Sequence, residues 1–81
     1  MLILAQNEEQ LINLDTVQTI EIDLDEEENN CRILCTYNDY YSVCIGEYRA
    51  PSRAKRVLRD IYRIYSDGYR VFFMPQDQEE A

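Results

Sequence analysis

Sixteen carboxylates, eight lysine or arginine side chains, seven tyrosines and three cysteines hold most of the chemistry open to this 81-residue chain, and it has no histidine. That absence removes the commonest general base, the usual activator of a nucleophile and the commonest zinc ligand together. Carboxylates could still work as acid and base, but here they gather in turn-like stretches and at the tail, where water is the expected neighbour. With only Gly46 and Gly68, the chain has no phosphate-cradling glycine loop and no glycine-flanked serine elbow. The expectation is a protein that is not an enzyme and carries no cofactor.

Cys31, Cys35 and Cys44 have no CxxC spacing, and a zinc site would need all three thiolates plus a carboxylate. Their neighbours Ile33, Leu34, Val43 and Ile45 mark them instead as small buried hydrophobes, so no metal is expected. The acidic stretch invites a calcium loop, and fails as one. With Asp23 at the first position, the sixth is Glu28 instead of glycine and the twelfth is Leu34.

Charge is unevenly spread. Residues 1–48 carry eleven acids against the single base Arg32, whereas residues 49–70 carry seven bases against two acids. The acids of interest are Glu21, Asp23, Asp25, Glu26, Glu27 and Glu28. They form either a surface for a basic protein partner or a charged hairpin that keeps a sheet edge from pairing. The bases Arg49, Arg53, Arg56, Arg59 and Arg63 could present guanidinium forks to phosphate, with Tyr48 or Tyr62 stacking on a base. The plainer reading is a solvated helix face that offsets the acidic body, and a formal net charge of −8 opposes duplex DNA. Among the tyrosines, Tyr41 is assigned to the core and Tyr40 to the opposite face, where an exposed ring suits a contact surface.

The elements that must position these groups follow from periodicity. Leu2 to Ala5 and Gln10 to Leu14 are short apolar strands around an Asn7-Glu8-Glu9 turn. From Val17 to Leu24 the chain alternates, with Ile20, Ile22 and Leu24 on one face and Thr19, Glu21 and Asp23 on the other. A polar loop from Asp25 to Asn30 leads to Cys31 to Tyr37, and Asn38-Asp39 turns into Tyr40 to Ile45, which makes an antiparallel meander. Pro51 suits a first helical position, Ala54, Val57, Leu58, Ile61 and Tyr65 recur at helical spacing, and Gly68 ends the helix. Tyr69 to Met74 is apolar on both faces and is placed inside the sheet.

The predicted fold class is α+β: a small antiparallel sheet of five to six short strands, one α-helix at about 51–66 packed on one face, and a final strand after it. Residues 1–75 form the single domain and 76–81 a polar tail expected to fray. No apolar run approaches the ~20 residues a bilayer span needs. The first residues have no basic region of a signal peptide. A cytoplasmic location without membrane contact is therefore expected.

The run Leu2-Ile3, Gln6, Ile12-Asn13-Leu14-Asp15, Val17 and Ile20 is followed by Gly46-Glu47-Tyr48, Arg53-Ala54-Lys55, Val57-Leu58, Ile61 and Met74-Pro75. This pattern resembles a group of small, largely uncharacterised proteins of Gram-positive bacteria and their phages, over roughly positions 2 to 75. The helix start Ala50-Pro51-Ser52 departs from the capped, acidic start expected of that group. The resemblance supplies no catalytic residue and implies a compact protein whose work is binding, by occupying a host protein or by sequestering a nucleotide.

Two functional expectations result. The first is a non-catalytic protein-binding module, an inhibitor of a host or defence protein, acting through Glu21, Asp23, Asp25, Glu26, Glu27, Glu28 and Tyr40. The second is a nucleotide- or anion-sequestering protein using Arg49, Arg53, Arg56, Arg59, Arg63 and Tyr48 between subunits of a homodimer. A homo-oligomer built through the free sheet face is the third option.

Overall fold

The alternating stretch from Thr19 to Tyr48 forms three long antiparallel strands in the computed structural model, which describes residues 1–77. These are β3 (Thr19–Asp25), β4 (Asn30–Asn38) and β5 (Tyr41–Tyr48), adjacent in that order. Ile20, Ile22 and Leu24 stand opposite Cys35, Ile33 and Cys31, so one side of this meander is apolar. Asn29 closes the first hairpin with φ of 55°, a left-handed conformation that asparagine tolerates.

The strict alternation breaks once in β5. Ile33 pairs with Gly46 but Leu34 pairs with Cys44, which leaves Ile45 as the extra residue of a β-bulge. The bulge lets Ile45 and Tyr48 both be buried. A second shift, between Thr36 and Asn38, brings the Tyr37 and Tyr41 rings to 5.4 Å between centroids. Tyr41 is thereby exposed, not in the core as expected.

The helix α1 (Pro51–Ser66) begins as predicted, with Pro51 at the start and no side-chain cap on Ala50. Its end is fixed by Gly68 at φ 84°, where the Gly68 N–H donates to the Tyr65 carbonyl and the Tyr69 N–H to that of Ile64. Ala54, Val57 and Ile61 are buried against the apolar side of the meander. No helix among the described residues is long and apolar enough to cross a membrane.

The remaining strands correct one expectation. β1 (Leu2–Leu4), β2 (Leu11–Asn13) and β6 (Val71–Phe73) form a separate three-stranded sheet in the order β2-β1-β6, in which β6 runs parallel to β1. The final strand follows the helix as predicted, yet it is an edge strand and not an interior one. Of its three residues only Phe72 turns toward the core, while Val71 and Phe73 are exposed. The parallel pairing is made feasible by the long excursion through the meander and α1.

Gln6 joins the two sheets. Its backbone N–H donates to the Ile45 carbonyl at 2.8 Å. Its side-chain amide then behaves as a further peptide unit, donating to the Glu47 and Pro75 carbonyls and accepting the Glu47 N–H at 2.9 Å. The first two residues of the predicted tail are tied down as well: Gln76 Nε2 donates to the Gln6 carbonyl, and Asp77 accepts the Arg49 N–H. The rest of that tail, 78–81, lies outside the described residues.

Candidate functional site

Ile20 and Ile22 pack against the core on the helix side, and Leu24 shares their side of β3 but is 60% exposed, so Glu21, Asp23 and Asp25 must face away from the helix. They stand opposite Leu34, Arg32 and Asn30 of β4, and Arg32 in turn stands opposite Glu47 of β5. A row Asp23, Arg32, Glu47 therefore crosses all three strands on the outer face. Arg32 donates from Nη2 to Asp23 Oδ2, and this hydrogen bond raises the guanidinium pKa against the opposing effect of desolvation. Arg32 is the one base that the three strands contribute.

At the hairpin tip, the Asp25 carboxylate accepts the Glu28 N–H at 3.3 Å. With Asn29 in its left-handed conformation, this closed turn holds Glu26, Glu27 and Glu28 in solvent. The acids predicted to act together are thus brought together. Tyr40 is not among them. It is 96% exposed, in the β4–β5 turn at the far end of β4. At ~3.4 Å per residue the strand separates the two sites by about 27 Å.

The basic residues divide between an exposed row on α1 and two held at its start. Arg56, Arg59 and Arg63 lie on the side of α1 opposite its buried residues, and Arg63 is paired with Asp60 at 3.1 Å. Arg53 lies over the Tyr48 ring, 5.9 Å from its centroid, and donates to the Gln76 carbonyl. Arg49 follows β5 just before the helix, and its backbone is held by Asp77. Tyr48 itself is only 1% exposed, and its hydroxyl donates to the Pro75 carbonyl at 2.6 Å. Burial pushes its phenol up to about 12. Tyr48 is therefore a core residue and has no open face on which a base could stack. A small cleft beside Gln6, Cys44 and Glu47 takes no lining residue from the arginines of α1.

The thiols are separated by burial. Cys31 and Cys35 are buried on the helix side, and burial pushes Cys35 up to about 11. Cys44 is half-buried opposite Leu34, and burial raises its thiol too. No group of three or more potential metal-ligating residues occurs among the described residues. Alkylation of the native protein should modify Cys44 first and Cys31 and Cys35 only on unfolding. Mass spectrometry of partially alkylated protein checks this, and early labelling of Cys35 would contradict it.

The sequence offered a free sheet face without assigning residues to it. In the β2-β1-β6 sheet, Ile3, Ile12 and Phe72 share the inner face by register, which turns Leu2, Leu4, Leu11, Val71 and Phe73 outward. Leu11 is 62% exposed and Phe73 69%. The available signal was the out-of-phase set in each short apolar run, but three residues are too few to establish a phase. An open groove of about 1100 Å³ begins at Leu2 and Val71 and runs past Tyr69, Arg70, Tyr62 and Tyr65. No family model, curated protein or solved structure matches this chain.

Proposed function

We propose that this protein is a non-catalytic protein-binding module that occupies a basic surface of another protein, as an inhibitor of a host or defence protein would. The observation that supports this reading is the acidic outer face of the meander. Glu21, Asp23, Asp25 and Glu47 share that face, and Glu26, Glu27 and Glu28 extend it at the hairpin tip. Only Arg32 offsets them there. Such a face steers and selects a basic partner, with a rate that falls as salt rises. The turn is closed by backbone geometry and Asp25, so the three glutamates can be changed without touching the core.

Glu26, Glu27 and Glu28 changed together to lysine should weaken partner capture on immobilised protein by about tenfold or more, ~1.4 kcal/mol at least, since the reversal sets like charges against a basic partner. The circular dichroism spectrum should be unchanged. Undiminished capture by the folded variant would contradict the reading. Anion sequestration by α1 is a second reading, supported by Arg56 and Arg59, which are exposed and have no acidic partner among the described residues. A rise in melting temperature with a nucleotide would favour it over the first.

A further inference from the structure

We propose that the outer face of the β2-β1-β6 sheet is the interface of a homodimer, with its two-fold axis lying along β1. This surface is separate from the acidic face and goes beyond the reading above. Three observations carry it: the size of the apolar face, its register, and the charges at its two edges.

Leu2, Leu11, Val71 and Phe73 are each more than two-fifths exposed, and Tyr69 lies at the same end as Val71. With aromatic side chains at about 150–250 Å² each, this face exposes roughly 600 Å² of apolar and tyrosine surface. That is at the top of the ~300–600 Å² range for the largest patch on a monomer. With a polar rim it approaches the ~800 Å² per partner of a standard interface.

Register says which copy-to-copy arrangement fits. Leu4 is level with Leu11 on one side and Phe73 on the other, and Leu2 is level with Asn13 and Val71. A two-fold axis along β1 keeps each level and exchanges the edges, so β2 of one copy lies over β6 of its partner. Phe73 then meets Leu11 of the other copy, twice, and the central Leu2 and Leu4 meet their own equivalents. Sheets packed face to face with strands nearly aligned are an established packing mode.

The edge charges select the same axis. Asp15 follows β2 and Arg70 precedes β6, so both lie at the Leu2 end, where both line the groove. Exchanging the edges places Asp15 of each copy beside Arg70 of the other. Asp15 is loosely held, its carboxylate 3.8 Å from the Met1 amine and mostly exposed. The other in-plane axis, across the strands, would stack β2 on β2 and bring Asp15 against the Glu8-Glu9 turn of the second copy, acid on acid.

Sedimentation velocity or light scattering on the purified protein tests the proposal. The wild type should be a dimer at micromolar concentrations. Leu11→Glu and Phe73→Asp should each raise the dimer dissociation constant about a hundredfold or more, as for a central apolar anchor. Both should keep the wild-type circular dichroism spectrum, and Leu11→Glu serves where Phe73→Asp unfolds. Asp15→Arg should weaken the dimer, and Asp15→Arg with Arg70→Asp should restore it. A wild-type monomer, including one that binds a different apolar partner through this face, overturns the proposal. So does a dimer unaffected by both apolar substitutions. Failure of the double charge exchange to restore the dimer overturns the two-fold arrangement. The lysine triple variant of the hairpin should remain dimeric, so the outcome here is independent of the acidic face.

Discussion

Replacing Ile33 with alanine should lower the stability of this protein by about 2–5 kcal/mol, the range for deleting a large aliphatic side chain from a core that cannot fully collapse. Ile33 has no solvent exposure and sits at the centre of the middle strand, between Ile22 and Gly46. Collapse is restricted because the space beside it is already filled. A Cβ added at Gly46 would come within 2.9 Å of the Met74 methyl carbon and 3.1 Å of the Tyr48 ring. At ~0.05–0.15 kcal/mol per residue, a domain of this size has only about 4–12 kcal/mol in total. Urea unfolding should show a clearly lower midpoint with an unchanged slope. A loss under ~1 kcal/mol would mean that the centre of the meander is not the centre of the core.

Tyr48 separates structure from function in the same way. Tyr48→Ala should cost about 3–5 kcal/mol, as for a buried aromatic. Tyr48→Phe should cost about 0.5–1.5 kcal/mol, because the Pro75 carbonyl loses one of its two donors and keeps the Gln6 amide. The pH dependence has a definite sign. Burial raises the folded-state pKa from the ordinary 10 to about 12, so between those values the unfolded chain has lost a proton that the native protein keeps. Stability should therefore be constant with respect to this group below pH 10 and fall as pH rises toward 12. The Tyr48→Phe variant should lack that part of the alkaline loss, as followed by denaturant midpoints at several pH values. Had Tyr48 been a stacking platform, its removal would spare stability and remove nucleotide binding.

The meander and the helix were legible because their signals are local. Glu21, Asp23 and Asp25 alternate with Ile20, Ile22 and Leu24, which fixes both a strand and its acidic side. Pro51 and Gly68 bracket a helix whose buried residues recur every three or four positions. The β1–β6 pair was illegible for the opposite reason. It joins residues about seventy positions apart, and three-residue strands do not reveal which side is inward. Val71 and Phe73 read as core because they are apolar, yet their register with Leu2 and Leu4 turns them outward.

The candidate site divides along the same line. Alternation along one strand placed Glu21 and Asp23 together, and the structure bears out that placement, while Asp25, expected to open the loop, is the last residue of β3 on the same face. Grouping Tyr40 with them overlooked that a meander puts successive turns at opposite ends of the strand between them. Excluding Tyr48 from a basic site required knowing that the bulge at Ile45 turns its ring inward. Gln6 looked like a turn residue, and its bridging role depends on Glu47 and Pro75, remote in the chain.

Hydrogen exchange of the protein alone and in its captured complex shows which surface the partner covers. Exchange in the segment from Glu21 to Glu28 should slow on complex formation, with exchange in Pro51–Ser66 unchanged. Protection of the helix segment with none in the hairpin would contradict the acidic face as the binding surface and shift the function to the arginines of α1.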